Sequence, residues 1–470
     1  MGCATGKPKA ARKLSLESNT IMKDIQKGKL QNYEFKKLLG QGRFGRVLLG
    51  KRCENGQLVA IKAIAKTKAA VSLSQLMKEI EILSQVDHPN IVKYLEHFET
   101  EQYLYIVMEY CSGGDLFTKI VNRDKFSEAE AASLMAEILR AVNHCHHLGL
   151  IHRDLKPENI MYSEEGQIKI IDFGLSMHEK GFSQEKVAGT AYYIAPEILM
   201  NEIFIKACDI WSLGIILHIL LSGYVPIVGV TPEETYDKIM SYKGPSFTGE
   251  VWRSVSKEGK DLVQKMLDPD YTKRITAAEA LKHSWFATKR GEDQQLDPGI
   301  IQALKQYSGY SKLKKKVLNL LVHNINEMDI KRLQAAFLAL DKEQTGLITC
   351  LDIEACLKKE GYEMRTEELE SLTRRVNYNG EAFINYTEFL AATLSAQSFL
   401  TEEKLRCLFK YLDVEQRGSI TEENLKTVLS GRQRIQSSEV AVIMRDADTN
   451  HDGKITFDEF KSIFNKDLLV

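Results

Sequence analysis

The sequence predicts an α+β fold followed by an all-α repeat. Three observations lead there. From Tyr33 onward the residues alternate apolar and polar in short runs, as strands with one buried face do. From Phe126 the apolar residues recur at helical spacing, and helix dominates as far as Trp285-Phe286. Beyond residue 325 a unit of ~35 residues occurs four times, each a polar loop between apolar helices. At 470 residues the chain has room for two to four domains, and an apolar share of 44% supplies their cores. The formal net charge of −1 gives no whole-chain argument for nucleic acid, and none is expected as a partner. Eight scattered cysteines with no C-x-x-C pair fit a reducing, cytoplasmic setting. No apolar run approaches the ~20 residues of a membrane span. The longest candidate, Ile215 to Leu221, contains His218 and reads as a buried helix.

Residues 1–32 form a basic segment. Gly2 after the initiator Met suits N-myristoylation, and Cys3 beside it suits palmitoylation. Gly6 stands where Ser or Thr is usual, with Thr5 one place early. Lys7, Lys9, Arg12 and Lys13 can rest on anionic lipid, and two acyl signals with a basic patch would hold the chain peripherally on a membrane surface. The alternative is an unmodified basic tail. Ser15, three residues after Arg12, looks like a basophilic phosphorylation site whose phosphate would offset the cluster.

Leu39 to Val47 reads LGQGRFGRV between two short apolar strands. Gly40, Gly42 and Gly45 let backbone approach phosphate without a Cβ in the way, with Leu39, Gln41 and Val47 as the neighbouring contacts. A dinucleotide site would continue into a helix, but here a strand follows: Val59-Ala60-Ile61-Lys62, with Lys62 placed to pair phosphates. Residues 71 to 85 take helical spacing and carry Glu79, the expected partner of Lys62. Leu104 to Glu109 is a buried strand. Backbone at Glu109 and Cys111 would meet an adenine edge, with Ala60 and Met108 packed near it, and Asp115 would face ribose or a basic peptide side chain.

After the helical stretch from Phe126 comes HRDLKPEN, His152 to Asn159. Asp154 can receive a hydroxyl proton, Lys156 can meet developing phosphoryl charge, and Asn159 can hold a metal. Asp172-Phe173-Gly174 follows, with Asp172 eighteen residues after Asp154, as a second metal ligand. Ala195-Pro196-Glu197 closes that segment, Asp209 opens a buried helix, and Arg274 is expected to pair with Glu197.

Residues 33–286 resemble a eukaryotic protein kinase along their whole length. The glycine loop, Lys62, Glu79, HRDLKPEN, DFG, APE and Arg274 occur in order. The resemblance implies a bilobal α+β protein-kinase fold that binds ATP and Mg²⁺. Lys156 and Thr190 look like serine/threonine rather than tyrosine kinases, and Glu158 and Asp115 resemble the acidic residues that hold a basic residue near the target hydroxyl. One departure bears on control. Lys186 stands four residues before Thr190, where many kinases carry a phosphorylated Thr, so Arg153 lacks the usual phosphate. Glu185 or a modified Ser183 would have to serve instead, and activity without activation-loop phosphorylation is expected.

Residues 287–325 hold a polar linker, then amphipathic helical spacing over 299–322 with Lys312, Lys314, Lys315 and Lys316. Basic amphipathic helices of this kind are calmodulin-target-like. Residues 326–393 and 394–470 then carry two loop pairs, with twelve-residue loops starting at Asp341, Asn377, Asp413 and Asp448. The last, DTNHDGKITFDE, satisfies the EF-hand pattern: Asp448, Asn450 and Asp452 give side-chain oxygens, Lys454 its carbonyl, and Glu459 the bidentate end. The first keeps Asp341, Glu343, Thr345 and the Leu347 carbonyl but ends in the shorter Asp352, so weak Ca²⁺ binding is expected. The second has Ala382 in place of Gly. In the third, Arg417 brings a cation inward and Asn424 ends the loop. Those two are expected to be kept for packing.

Kinase, basic junction helix and four EF-hands in this order resemble the calcium-dependent protein kinases of plants and protists. That resemblance implies an all-α calmodulin-like domain following the kinase. It also implies a monomer in which the junction helix blocks phosphorylation of protein substrates at low Ca²⁺ and is gripped by the EF-hands when Ca²⁺ binds. Two other readings of the sequence are a calcium-binding scaffold with a kinase fold and a kinase little affected by calcium.

Overall fold

The computed structural model describes residues 32–41, 45–53, 56–66, 73–123, 126–174, 176–178, 191–201, 204–289, 298–322, 327–359, 364–394, 401–429 and 437–465. These divide into two compact units, one within residues 1–76 and 94–110, the other within 77–93 and 111–470.

The first unit is built on an antiparallel sheet in the order β1-β2-β3-β5-β4, from β1 (Tyr33–Gln41), β2 (Arg46–Arg52), β3 (Leu58–Ala65), β4 (Tyr94–Glu99) and β5 (Tyr103–Glu109). Alternation sets its two faces. Val59, Ile61 and Ala63 on β3 join Tyr105 and Val107 on β5 in a core closed by Tyr33, Leu95 and Phe98. The intervening residues therefore project from the opposite face. At one edge of the core Arg52 pairs with Glu96 at 3.1 Å, and the Tyr33 hydroxyl donates to the same carboxylate.

Helix α1 (Leu73–Gln85) precedes β4. In the second unit α2 (Leu116–Val121) leads to α3 (Glu128–His147). Helix α3 starts sharply because Ser127 and Glu130 cap each other's backbone N–H groups in a capping box. Short strands β6 (Leu150–Ile151), β7 (Ile160–Tyr162), β8 (Ile168–Ile170) and β9 (Met177–His178) pair as β6–β9 and β7–β8. Helices α4 (Pro196–Asn201), α5 (Lys206–Ser222), α6 (Pro232–Met240), α7 (Lys257–Met266) and α8 (Ala277–Leu281) follow. As expected of an all-round apolar helix, α5 is buried from Cys208 to Ser222, His218 included.

The spacing over 299–322 reads as one helix, but the chain forms two, α9 (Pro298–Ser308) and α10 (Lys312–Val322). Gly309 is a poor helix former, and its N–H turns back to the Gln306 carbonyl while Ser311 caps the new helix through Lys314 N–H.

Four helix pairs follow: α11 (Glu327–Leu340) with α12 (Cys350–Lys359), α13 (Thr366–Val376) with α14 (Tyr386–Thr393), α15 (Glu402–Leu412) with α16 (Glu422–Leu429), and α17 (Ser437–Ala447) with α18 (Phe457–Asn465). Their loops are coupled by three-residue strands, with β10 (Leu347–Thr349) on β11 (Phe383–Asn385) and β12 (Ser419–Thr421) on β13 (Lys454–Thr456). One core joins Phe337, Phe389, Phe409 and Phe460 of these pairs to Leu304 of α9 and to Leu313, Val317 and Leu321 of α10.

Candidate active site and calcium loops

The first unit lines up the residues read as phosphate contacts. Gly40 lies opposite Val47, and Val47 opposite Lys62, giving one row across β1, β2 and β3. Lys62 is only 7% exposed. Ala60 faces Met108 across β3 and β5, and Glu109 ends β5. Leu39 and Gln41 are exposed on β1, and Gly42 lies outside the described residues. Gly45 has a packing role that spacing does not reveal: a Cβ there would overlap the Ala63 carbonyl oxygen. Glu79 lies on α1, but its side chain falls outside the described residues.

In the second unit the catalytic loop is tightly knit. Lys156 Nζ reaches Asp154 Oδ2 at 2.7 Å, and Asn159 Nδ2 donates to the same oxygen at 2.9 Å and to the Asp154 carbonyl at 2.8 Å. With its amide hydrogens so used, Asn159 keeps its carbonyl oxygen as the atom to offer a cation. The antiparallel pair β7–β8 sets Ile160 opposite Ile170, and Ile171 N–H donates to the Asn159 carbonyl at 2.9 Å. Asn159 and Asp172 therefore leave neighbouring ends of one hairpin. Asp172 holds φ of 62° and Arg153 φ of 70°, left-handed conformations that non-glycine residues adopt at a cost of order 1–3 kcal/mol. The ring of Phe173, buried, meets His152 edge-on at 4.8 Å, and His152 Nε2 donates to the Ile171 carbonyl at 3.2 Å.

Asp209 holds this loop from below, a role its place at the start of an apolar helix only hinted at. Its carboxylate accepts the backbone N–H groups of His152 and Arg153 at 2.9 Å each, and His146 Nε2 at 2.9 Å. Burial pushes the Asp209 carboxyl up, but His146 and these N–H donors outweigh it and hold it below the usual range. Arg274 forms the expected fork on Glu197, at 2.6 and 2.9 Å, with both side chains at most 1% exposed.

Asp115 caps α2, accepting Thr118 N–H at 2.6 Å and its hydroxyl at 3.0 Å. Cys111 is buried and Glu158 exposed. The Arg153 guanidinium lies 3.9 Å from the centre of the Phe204 ring. Ser183, Glu185, Lys186 and Thr190 lie outside the described residues, as do Gly2, Cys3 and Ser15.

Comparison with known proteins matches a protein kinase domain over residues 33–286 and an EF-hand domain pair over 330–394 and again over 402–465. The chain is 35% identical over 435 residues to Calcium-dependent protein kinase 19 of Oryza sativa subsp. japonica, covering 91% of this chain and 81% of that protein. It is 38% identical over 434 residues to Calcium-dependent protein kinase 5 of Plasmodium falciparum (isolate 3D7), covering 90% and 76%. This chain belongs to the calcium-dependent protein kinases.

The kinase's four loops differ in how well they suit Ca²⁺. In the fourth, Asp448 accepts Gly453 N–H at 2.8 Å, Asn450 Oδ1 accepts Asp452 N–H at 2.9 Å, and Asp452 accepts Lys454 N–H at 2.9 Å. The turn is made by His451 and Gly453, with φ of 59° and 81°. This oxygen-only donor set fits a hard cation. Glu459 is held by Thr449 and Thr456; burial pushes its carboxyl up, but hydrogen bonds from those residues and Asn450 bring it down to about 2. Glu459 Oε1 already lies over the loop, accepting Thr449 N–H at 3.0 Å and Asn450 N–H at 3.2 Å.

The first loop repeats the paired turn at Gln344 and Gly346. Its Asp341 accepts Gly346 N–H at 2.6 Å, and Asp352 accepts the Thr349 hydroxyl at 2.6 Å. The second loop does not repeat it. Gly380 is left-handed there, but Ala382 is not, and Glu388 turns inward to accept Tyr378 N–H at 2.7 Å and the Asn377 amide at 3.2 Å. Burial pushes that Glu388 carboxyl up to about 7. In the third loop Arg417 pairs with Glu415 at 3.4 Å, and Asn424 caps the exit helix from Thr421 N–H.

Proposed function

We infer that this kinase transfers the γ-phosphate of ATP to Ser or Thr of protein substrates and that Ca²⁺ at the fourth loop governs the transfer. The observation that carries the chemistry is the Asp154–Lys156–Asn159 cluster beside Asp172. Asp154 Oδ orients the substrate hydroxyl and receives its proton. Lys156, 2.7 Å from that carboxylate, stabilises the transferring phosphoryl oxygens. Lys62 and the backbone at Gly40 to Gly45 hold the nucleotide phosphates. The Asn159 and Asp172 oxygens suit Mg²⁺, which when bound neutralises phosphate charge. Glu158 favours a basic residue in the substrate.

The regulatory reading rests on α10. Its apolar side chains Leu313, Val317 and Leu321 are buried in the EF-hand core, and Lys315 Nζ donates to the Arg375 carbonyl at 2.5 Å. Such burial supports the gripped arrangement. Autoinhibition at low Ca²⁺ would require α10 to leave that core and cover the kinase. Gly2 and Cys3 are the acyl acceptors for a peripheral membrane anchor. Peptide phosphorylation measured against free Ca²⁺, in wild type and Glu459→Gln, tests the function. Ca²⁺-independent turnover would favour a constitutive kinase, and no turnover at any Ca²⁺ a scaffold.

A further inference from the structure

The first EF-hand loop faces the helical part of the kinase domain, within one compact unit. Helix α3 supplies the contacts. Asn143 Nδ2 donates to the Gln344 carbonyl at 2.6 Å, and His144 Nδ1 to the Thr345 carbonyl at 2.7 Å. Arg140 Nε donates to Gln344 Oε1 at 3.2 Å. Gly346 then presses against two rings: a Cβ there would come within 2.5 Å of His144 Nδ1 and 2.9 Å of His88 Cδ2. The partner loop is fastened as well, because Asp87 accepts both the N–H and the hydroxyl of Thr387 at 2.8 Å each.

One contact takes a metal-ligand position. Glu343, third in the loop, pairs with Lys282 of the kinase domain at 2.7 Å. A carboxylate so engaged does not turn into the loop. The first loop already ends in the short Asp352, so losing Glu343 leaves it little charge for a divalent cation.

We propose that the first EF-hand loop is a clasp that fastens the first EF-hand pair to the kinase domain, and that Ca²⁺ and the clasp compete for this loop through Glu343. The idea rests on the calcium-switch reading for its physiological meaning, but its geometry stands apart from it. The backbone carbonyls of Gln344 and Thr345 point outward to α3 while the Asp341 and Asp352 carboxylates point inward. Only Glu343 must choose. Linkage then requires that whatever loosens the clasp tightens Ca²⁺ at this loop, and that Ca²⁺ there loosens the clasp.

The test uses the full chain in the Glu459→Gln background, which weakens the fourth loop about tenfold or more. Hydrogen exchange without Ca²⁺ compares that parent with Asn143→Ala/Lys282→Ala and, separately, with Asp87→Ala; Lys282 is exposed and Asp87 half-buried but Asn143 is buried, so retained peptide phosphorylation checks that the double variant folds. Exchange over 341–352 is expected to rise about tenfold in the double variant, with 448–459 unchanged. Calorimetric titration with Ca²⁺, with Asp341→Ala as the control that removes the first loop, should show the first-loop site about fivefold tighter in the double variant. Unchanged exchange over 341–352 overturns the clasp. Faster exchange with unchanged Ca²⁺ affinity overturns the competition. Peptide phosphorylation by the unmodified chain against Ca²⁺ separately tests the switch, so a constitutive kinase would not be mistaken for a failed clasp.

Discussion

Asn159 and Lys156 both donate to one oxygen, Oδ2 of Asp154, at 2.9 and 2.7 Å. These two bonds restrain the orientation of the carboxylate. Asp154→Asn keeps the shape and removes the base. Peptide phosphorylation should fall by roughly 10²–10⁴-fold in kcat with KM for ATP little changed. Asp172→Ala should abolish turnover, and retained turnover would remove it from the site.

Asp209 acts on the same loop through backbone. His152 and Arg153 N–H groups bind different oxygens of Asp209, so Asp209→Asn keeps an acceptor for only one of them, turns an NH2 toward the other and loses the charge that faces His146. A fall in kcat of about tenfold is expected, consistent with a misplacement of the loop, with peptide KM preserved. Equal loss in both parameters would assign Asp209 to substrate binding instead.

The buried fork of Arg274 on Glu197 is a stability device. Arg274→Met strands a buried carboxylate and should cost about 3–5 kcal/mol in urea unfolding of the kinase domain. Adding Glu197→Gln should recover part of that loss, because no uncompensated charge then remains.

His218 gives a pH signature. Burial holds its imidazole down to about 4, while Nδ1 donates to the Tyr224 carbonyl at 3.0 Å. The unfolded chain takes up the proton first, near the ordinary pKa of about 6.5. Stability contributed by neutral His218 is therefore full above that pH and is lost as pH falls toward 4. Chemical unfolding at pH 7 and pH 5 should show a smaller loss in His218→Gln than in wild type, by about 2 kcal/mol. Equal losses would mean that His218 does not titrate on unfolding.

Local strings were legible and distant encounters were not. HRDLKPEN, DFG and the fourth loop could be read because each puts its chemistry within twelve residues of chain. The Arg274–Glu197 pair was also legible, through the family's order of motifs rather than through any local pattern. Nothing local told that Gly45 lies against Ala63, that Asp115 spends its carboxylate on a helix cap, or that Gly309 divides the junction. The Asp87–Thr387 contact spans three hundred residues, and helical periodicity along α3 gives apolar faces but not which loop meets Asn143 and His144. The fourth loop's complete donor set and the second loop's Ala382 in place of Gly were both visible in residue types. What residue types did not show is the backbone consequence: Ala382 is not left-handed, whereas Gly346, Gly418 and Gly453 at the same loop position are.

We propose that calcium at the fourth loop controls phosphoryl transfer at Asp154. A titration of Ser/Thr-peptide phosphorylation against free Ca²⁺, run on wild type and on Glu459→Gln, tests it most directly. The account predicts low activity without Ca²⁺, a steep rise in wild type, and a rise in Glu459→Gln shifted to about tenfold or more higher Ca²⁺. Superimposable curves for the two proteins, or full activity without Ca²⁺, would contradict it.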